Sequence, residues 1–262
     1  MARRSSARHQ PNVITPQAEA VVCVRMAKRP FLLLALTLST LDPAWASPQA
    51  VVEMFTSQGC SSCPPADAYL SELARRPEIV ALTLSVDYWD YLGWKDTLAH
   101  SDFTARQRAY AGARGDRQVY TPQAVVNGGE PCVGSNRAKI ERLIAIRGEL
   151  PVPVAAVEAG GQVAIEVGPG APVEEAAVWL LPVARARTVP IGRGENRGRT
   201  STYVNVVRGL KRIGTWTGQP ARYEVPMEAV KEGEADAYVV LLQAVGQGGP
   251  GPILGAAKSP GF

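Results

Sequence analysis

The sequence predicts an α/β unit followed by a smaller all-β, sandwich-like unit. Three observations carry that expectation. The apolar run at residues 51–55 leads into Cys60-Ser61-Ser62-Cys63 and then a helix-like stretch opening on Pro64-Pro65. A second apolar run at residues 79–86 follows, so strand, helix and strand come in the order of a right-handed parallel crossover. Beyond Pro151 helical periodicity fades, and alternating runs separated by Gly/Pro-rich turns replace it.

The first 46 residues read as a leader and stand apart from the fold. Lys28-Arg29, an apolar core at residues 31–41 and Ala44-Trp45-Ala46 supply a basic region, a short hydrophobic region and an A-x-A cleavage pattern. The apolar stretch is too short for a settled membrane span. Met26 stands where such a leader is expected to begin, and an over-extended start at residues 1–25 is the expectation that follows. The expectation is an exported protein, periplasmic or secreted, with no membrane attachment after leader removal. Charge divides in the same way. The chain holds 28 Lys+Arg and 24 Asp+Glu, of which residues 1–46 carry six and two. Residues 47–262 therefore carry 22 of each, so the basic balance belongs to the leader and no nucleic-acid partner is expected. The remaining 216 residues suffice for one large domain or two small ones, and they keep three cysteines, Cys60, Cys63 and Cys132. An odd count does not describe a disulfide-stapled scaffold; it fits a redox pair plus one further thiol.

Each element has its own signal. Ala66, Tyr69, Leu70 and Leu73 form an i, i+3, i+4, i+7 stripe for the first helix, and Pro64 is tolerated in its first turn. Residues 79–86 are almost continuously apolar, as in a strand covered on both faces. Residues 87–117 are polar and aromatic with a weak helical stripe through Phe103 and Tyr110, a helical insertion. Gln123-Ala124-Val125-Val126 and Asn127-Gly128-Gly129 read as strand and hairpin turn, which puts Cys132 on the returning strand. Ser135 is expected to cap a last helix carrying Ile140, Leu143 and Ile144. A boundary near Leu150-Pro151-Val152-Pro153 divides an expected unit at residues 48–150 from one at residues 151–262. The latter shows strands at 162–167, 177–181, 203–207 and 238–245, and only a weak helical stretch at 227–233.

A C-x-x-C at the exit of a strand, followed by Thr121-Pro122 at the entry of a hairpin, is the thioredoxin-like layout, in which that proline peptide bond is cis. Cys60 is then the exposed attacking thiolate, favoured by unpaired N–H groups and partial positive charge at the helix N-terminus, and Cys63 the more buried resolving thiol. Thr121 and Pro122 lie beside the nucleophilic sulfur. Asp87 ends the strand next to the first and is the candidate carboxylate for proton transfer to Cys63. Tyr88, Trp89 and Trp94 fall just past that strand's C-terminal end, where open α/β sheets place ligands; they are the candidate substrate-binding side chains, against a plain packing role. Cys132 reads as an inert buried thiol. Cys60, Cys63, Cys132 and His100 match no standard zinc spacing, so neither a metal nor another cofactor is expected. Gly192-Arg193-Gly194-Glu195-Asn196-Arg197-Gly198-Arg199-Thr200 lacks G-x-x-x-x-G-K and no helical pattern follows it. It reads as a glycine-rich hairpin with solvated arginines, either docked on the first unit, in which case changing Arg197 would cost that unit stability, or a plain surface loop.

Long strings also resemble a known family. They are the segment from Glu53 through Cys60-Ser61-Ser62-Cys63-Pro64-Pro65-Ala66-Asp67, Val86-Asp87-Tyr88-Trp89-Asp90-Tyr91-Leu92-Gly93-Trp94-Lys95-Asp96, Arg106-Gln107-Arg108-Ala109-Tyr110, Tyr120-Thr121-Pro122-Gln123, and the Ile191 to Thr200 loop. Together they resemble DUF1223, a family of exported thioredoxin-like proteins of unsettled function, from about residue 49 to the C-terminus. The resemblance implies the fold but supplies no substrate. Where members of that family carry His before Val-Asp-Tyr-Trp this chain has Ser85, so a base at that position is missing here.

The expected function is thiol–disulfide exchange, reducing or isomerising protein disulfides through Cys60 and Cys63, with a protein disulfide substrate or redox partner. Two alternatives stand beside it. One is handling of copper or another soft metal by the thiols. The other is a non-catalytic binding or scaffold protein with a structural disulfide.

Overall fold

The computed structural model describes residues 47–246 and 248–262. The leader expected at residues 1–46 lies outside the described residues. The first strand, β1 (Ala50–Thr56), pairs in parallel with β2 (Ile79–Ser85) and antiparallel with β3 (Gln123–Val126), which turns back as β4 (Pro131–Val133). The crossover from β1 to β2 is α1 (Pro64–Leu73), and its buried residues are the Ala66, Tyr69, Leu70 and Leu73 stripe. The helical insertion forms α2 (Ser101–Arg114), with Phe103 and Tyr110 buried. The last helix, α3 (Arg137–Arg147), buries Ile140, Leu143 and Ile144. Its cap is Asn136 rather than Ser135. A turn closed by Asn136 N–H on the Val133 carbonyl (2.9 Å) puts Asn136 next to the helix, where its Oδ1 accepts from Lys139 N–H at 3.1 Å.

The second half is nearly all strand: β5 (Val154–Ala159), β6 (Gln162–Val167), β7 (Ala176–Pro190), β8 (Thr200–Val207), β9 (Lys211–Trp216), β10 (Ala221–Pro226), β11 (Ala237–Gly246) and β12 (Gly249–Lys258). The weak helical stretch becomes two short 3-10 turns, Met227–Val230 and Glu232–Glu234. Strands β10, β6 and β5 make a separate antiparallel sheet. The others join the first half in one mixed sheet of order β12-β11-β7-β8-β2-β1-β3-β4, with β9 also on β7.

The sheet therefore crosses the boundary expected at residues 150/151, and the described residues form one compact unit. The junction is narrow. Only Thr83 and Val206 face each other in parallel register between β2 and β8. Side chains extend it: Thr83 Oγ1 donates to the Val204 carbonyl at 2.6 Å, and Asn205 Nδ2 to the Ala81 carbonyl at 3.0 Å. Asn205 adopts a left-handed backbone (φ 47°), a conformation Asn tolerates better than most residues.

Alternation along the strands sorts three apolar layers. Val51 and Phe55 of β1, Leu82 and Leu84 of β2, and Val239 and Leu241 of β11 share one core with Phe103 and Tyr110 of α2. The sheet thus bends round α2, until β12 meets the β3–β4 turn through Ile253 N–H on the Asn127 carbonyl (3.0 Å). On the opposite face Val52, Met54 and Ala124 pack with α1 and α3. Behind β7, β11 and β12, the three-stranded sheet closes a sandwich around Ile165, Val178, Trp216 and Leu242.

One polar cluster crosses the first of these cores. Glu53 of β1 is 0% exposed and Arg106 of α2 6%, and Arg106 Nε and Nη2 donate to the two Glu53 oxygens at 2.6 and 3.1 Å. Tyr110 Oη donates to Glu53 Oε2 at 2.6 Å. From β11, Gln243 Oε1 accepts from Arg106 at 2.9 Å, while its Nε2 donates to Tyr110 Oη at 2.7 Å and to the Gly251 carbonyl of β12 at 2.9 Å. Removing one partner strands a buried charge, so Arg106→Leu is expected to cost about 3–5 kcal/mol in urea unfolding. The Glu53→Leu, Arg106→Leu double variant is expected to lose less than the single one.

Candidate functional site

The chain leaves β1 at Thr56 into a turn closed by Cys60 N–H on the Ser57 carbonyl (3.1 Å). A Cβ at Gly59 would lie 3.2 Å from Trp89 Cβ, so the turn passes close to the base of that side chain. Cys60 and Cys63 are joined in a disulfide. Ser61 and Ser62 are exposed at its tip, but Cys60 is only 2% exposed and Cys63 0%.

The exposed Cys60 expected from the sequence is thus corrected, and the cause is the β7–β8 connection lying over it. Asn196, 2% exposed, donates from Nδ2 to the carbonyls of Gln58 (2.9 Å) and Cys60 (2.8 Å). Beside it, Glu195 Oε2 accepts from Ser61 N–H at 3.3 Å. Trp94 supports the loop from below. A Cβ at Gly192 would fall 3.2 Å from its ring, and Trp94 Nε1 donates to Gln58 Oε1 at 2.8 Å. The loop does dock at the disulfide, but through Asn196 and Glu195; Arg197 is exposed.

A second correction concerns the helix N-terminus. Pro64 and Pro65 have no N–H, Cys63 N–H is bonded to the Cys60 carbonyl (3.2 Å), and the N–H groups of Ala66 and Asp67 are bonded to the Cys63 carbonyl (2.9 and 3.1 Å). No backbone N–H of the helix's first turn is thus left for the sulfurs; the Ser62 hydroxyl, with Oγ 3.4 Å from Cys60 Sγ, and the longer-range helix field are what remain to favour a thiolate.

The Thr121–Pro122 loop reaches the same tip. Its peptide bond is cis, Pro122 is buried, and the Thr121 carbonyl accepts from Ser62 Oγ at 3.4 Å. Trp89 Nε1 donates to Thr121 Oγ1 at 2.7 Å, and its ring stacks on Tyr91 (centroids 6.5 Å apart), which is 78% exposed. Tyr88 is half-buried and burial raises its phenol above the ordinary range. The structure therefore brings Cys60, Cys63, Thr121, Pro122, Trp89 and Trp94 around one loop tip.

The model of the family described as "Protein of unknown function (DUF1223)" matches residues 51–243, well over half the chain. The chain belongs to the DUF1223 family. The crystal structure of protein AGR_C_4864 from Agrobacterium tumefaciens is 37% identical, with a TM-score of 0.74 over 82% of this chain and 96% of that one. HBP35 of Porphyromonas gingivalis superposes with a TM-score of 0.55 over 81% of this chain and 75% of that one; at 11% identity the likeness is one of fold. No curated protein matches the sequence.

In this DUF1223 protein a carboxyl on the same helix turn as Cys63 is one the sequence did not flag. Asp67 stands one helical turn after Cys63, half-buried, with Oδ1 accepting from Thr56 Oγ1 at 2.7 Å. Burial pushes its carboxyl up to about 7; the Thr56 hydrogen bond opposes the rise and Asp96 adds to it. Asp96 is 3% exposed and raised by burial too, held back by the N–H groups of Gln58 (2.7 Å) and Leu98 (2.8 Å) on its oxygens. Asp87, by contrast, is turned to α2, where Thr104 Oγ1 donates to it at 2.5 Å. Ser85 is fully buried, and among the described residues its Oγ has no partner. Cys132 is a free thiol in the layer under α1 and α3, pushed up to about 11 by burial. His100 caps α2, accepting from Asp102 N–H at 3.2 Å. Among the described residues, no three His, Cys, Asp or Glu gather as a metal group.

Asn196→Ala takes its donor from the Gln58 carbonyl and leaves the Cys60 carbonyl with Cys63 N–H alone, an expected loss of about 1–3 kcal/mol in urea unfolding. The same variant is expected to speed reduction of the disulfide by dithiothreitol, followed by stopped flow. An unchanged rate would mean that the loop does not shield Cys60.

Proposed function

We propose that this protein is an exported thioredoxin-like thiol–disulfide oxidoreductase acting on protein disulfides through Cys60 and Cys63. The observation that carries the reading is the placement of that pair, at a β1–α1 junction with the Thr121–Pro122 loop against its tip. The parallel β1–α1–β2 crossover, the antiparallel β3–β4 hairpin and α3 in succession support the thioredoxin-like part.

Starting from the dithiol, the Cys60 thiolate attacks one sulfur of the partner's disulfide. A mixed disulfide forms and the partner's other sulfur leaves as a thiolate. Cys63 then gives its proton to the Asp67 carboxylate and attacks Cys60 Sγ. The Cys60–Cys63 bond re-forms, the partner's second sulfur leaves, and two electrons have passed to the partner. Asp67 thus takes the proton-transfer role expected of Asp87, whose carboxyl is engaged by α2. Thr121, Trp89 and Tyr91 border the tip where the partner chain would lie. A second reading, a structural disulfide in a binding protein, is favoured by the burial of both sulfurs under Asn196.

Trapping separates the two. Cys63→Ala is expected to hold a partner covalently on Cys60, seen as a reducible adduct, whereas Cys60→Ser is expected to form none. If neither variant traps anything and insulin reduction survives Cys60→Ser, the catalytic reading falls.

Asp67 gives a pH test. Its folded carboxyl keeps a proton up to about 7 while the unfolded one releases it near 3.8, so the native state binds more protons between those values. Stability from this group is therefore fully present below the lower value and is lost as pH rises through the upper one. Asp67→Asn, which keeps an acceptor for Thr56, is expected to flatten that decline and to gain more relative to wild type at pH 8 than at pH 4, read from urea midpoints.

A further inference from the structure

The loop over the disulfide carries charge that neither its anchoring nor the thiol chemistry uses. Asn196, Glu195 and the Gly192 contact with Trp94 fix the loop in place. Between and beside those anchors stand Arg193, Arg197 and Arg199, all exposed and without an ion-pair partner among the described residues. Lys95, adjacent to Trp94, is exposed and unpaired as well. Arg76, Arg114, Arg137 and Arg222 each hold a carboxylate, whereas Arg75, Arg108, Arg117 and Arg142 are exposed without one among the described residues but lie scattered along the chain; the loop sets three such arginines together beside the disulfide.

Nearby acids offset the four cations only in part. Glu195 is exposed but accepts from Ser61 N–H, Asp90 accepts from Asp96 N–H at 3.0 Å, and Asp96 is buried under backbone donors. Since residues 47–262 are neutral by formal count, this is a local excess of positive charge gathered at the rim of the redox pair. Guanidinium groups present fixed forks that match carboxylates. A rim of one sign mainly raises the rate of encounter, and does so most at low salt.

We propose that Arg193, Arg197, Arg199 and Lys95 form a docking rim for an acidic polypeptide segment flanking the partner's reacting cysteine. The inference rests on the exchange reading above. A polypeptide is favoured over a nucleic acid because the chemistry at the centre of the rim needs a sulfur in the partner.

The test uses the reduced protein and two peptides with the same internal disulfide, one flanked by Asp/Glu and one by Ser/Gly. At about 20 mM salt the acidic peptide is expected to react about tenfold faster, and the gap to close at about 300 mM, where the screening length falls to about 6 Å. The Arg193→Ser, Arg197→Ser, Arg199→Ser variant is expected to treat both peptides alike. Equal rates on the unaltered protein at low salt, or an advantage that survives in the variant, overturns the rim. If no peptide exchanges, the redox reading fails by itself. The rim is then read from binding of the acidic sequence without cysteines to the oxidised protein, by fluorescence anisotropy. Salt-sensitive binding lost in the variant supports it, and no binding overturns it.

Discussion

The buried Glu53–Arg106 pair is the constraint on which the rest of the fold turns. A carboxylate in the middle of a central strand is admissible only when its charge is met and its lone pairs are filled. Arg106, Tyr110 and Gln243 meet that demand from α2 and β11, so the charge in β1 dictates where the helix and the C-terminal strands must stand. The bending of the sheet round α2 is the geometric consequence, since β1 and β11 are four strands apart in the order yet reach the same guanidinium.

That wrapping explains how a site begun in the first half is finished by the second. With β8 held beside β2, the β7–β8 connection falls at the C-terminal end of β1, where Asn196 closes over the disulfide. Electrostatically the pair sits in a setting that does little for a thiolate. Two prolines remove N–H donors from the helix turn and the remaining ones there are bonded to backbone. The carboxyls Asp67, Asp96 and Glu195 stand beside the pair, while the cations of the rim are exposed, where water and salt screen them. Poorly stabilised thiolates keep a disulfide hard to reduce, which makes the dithiol an electron donor rather than a strong oxidant.

Local pattern made much of this legible. The α1 stripe, the continuous apolar strand β2, the Asn127 turn and the alternation of β6 are properties of a few adjacent residues, and the structure has them where the spacing put them. What escaped notice depends on distant partners. Glu53 inside an apolar run says nothing of Arg106 until the helix is docked. Strands β9 and β12 lie in basic or Gly-rich sequence with weak alternation, and their pairing partners define them, whereas β10, Ala221–Pro226, alternates cleanly over a stretch too short to stand out. The single Thr83–Val206 pair that fuses the two halves leaves no periodic mark at all. Asn196 looked like one polar residue in a loop of arginines; only its burial against Cys60 reveals its part. Asp67 carried a signal that was available, a carboxylate on the buried side of a helix one turn after Cys63.

The central claim, that Cys60 and Cys63 form an exchanging pair rather than a staple, comes down to a reduction potential. Equilibrating the purified protein against dithiothreitol or lipoate redox buffers and counting free thiols measures it directly. An exchanging pair in this weakly thiolate-favouring setting is expected in the range of thioredoxin and the glutaredoxins, about −270 to −200 mV. A pair that stays oxidised below about −300 mV would contradict the claim and identify a structural disulfide.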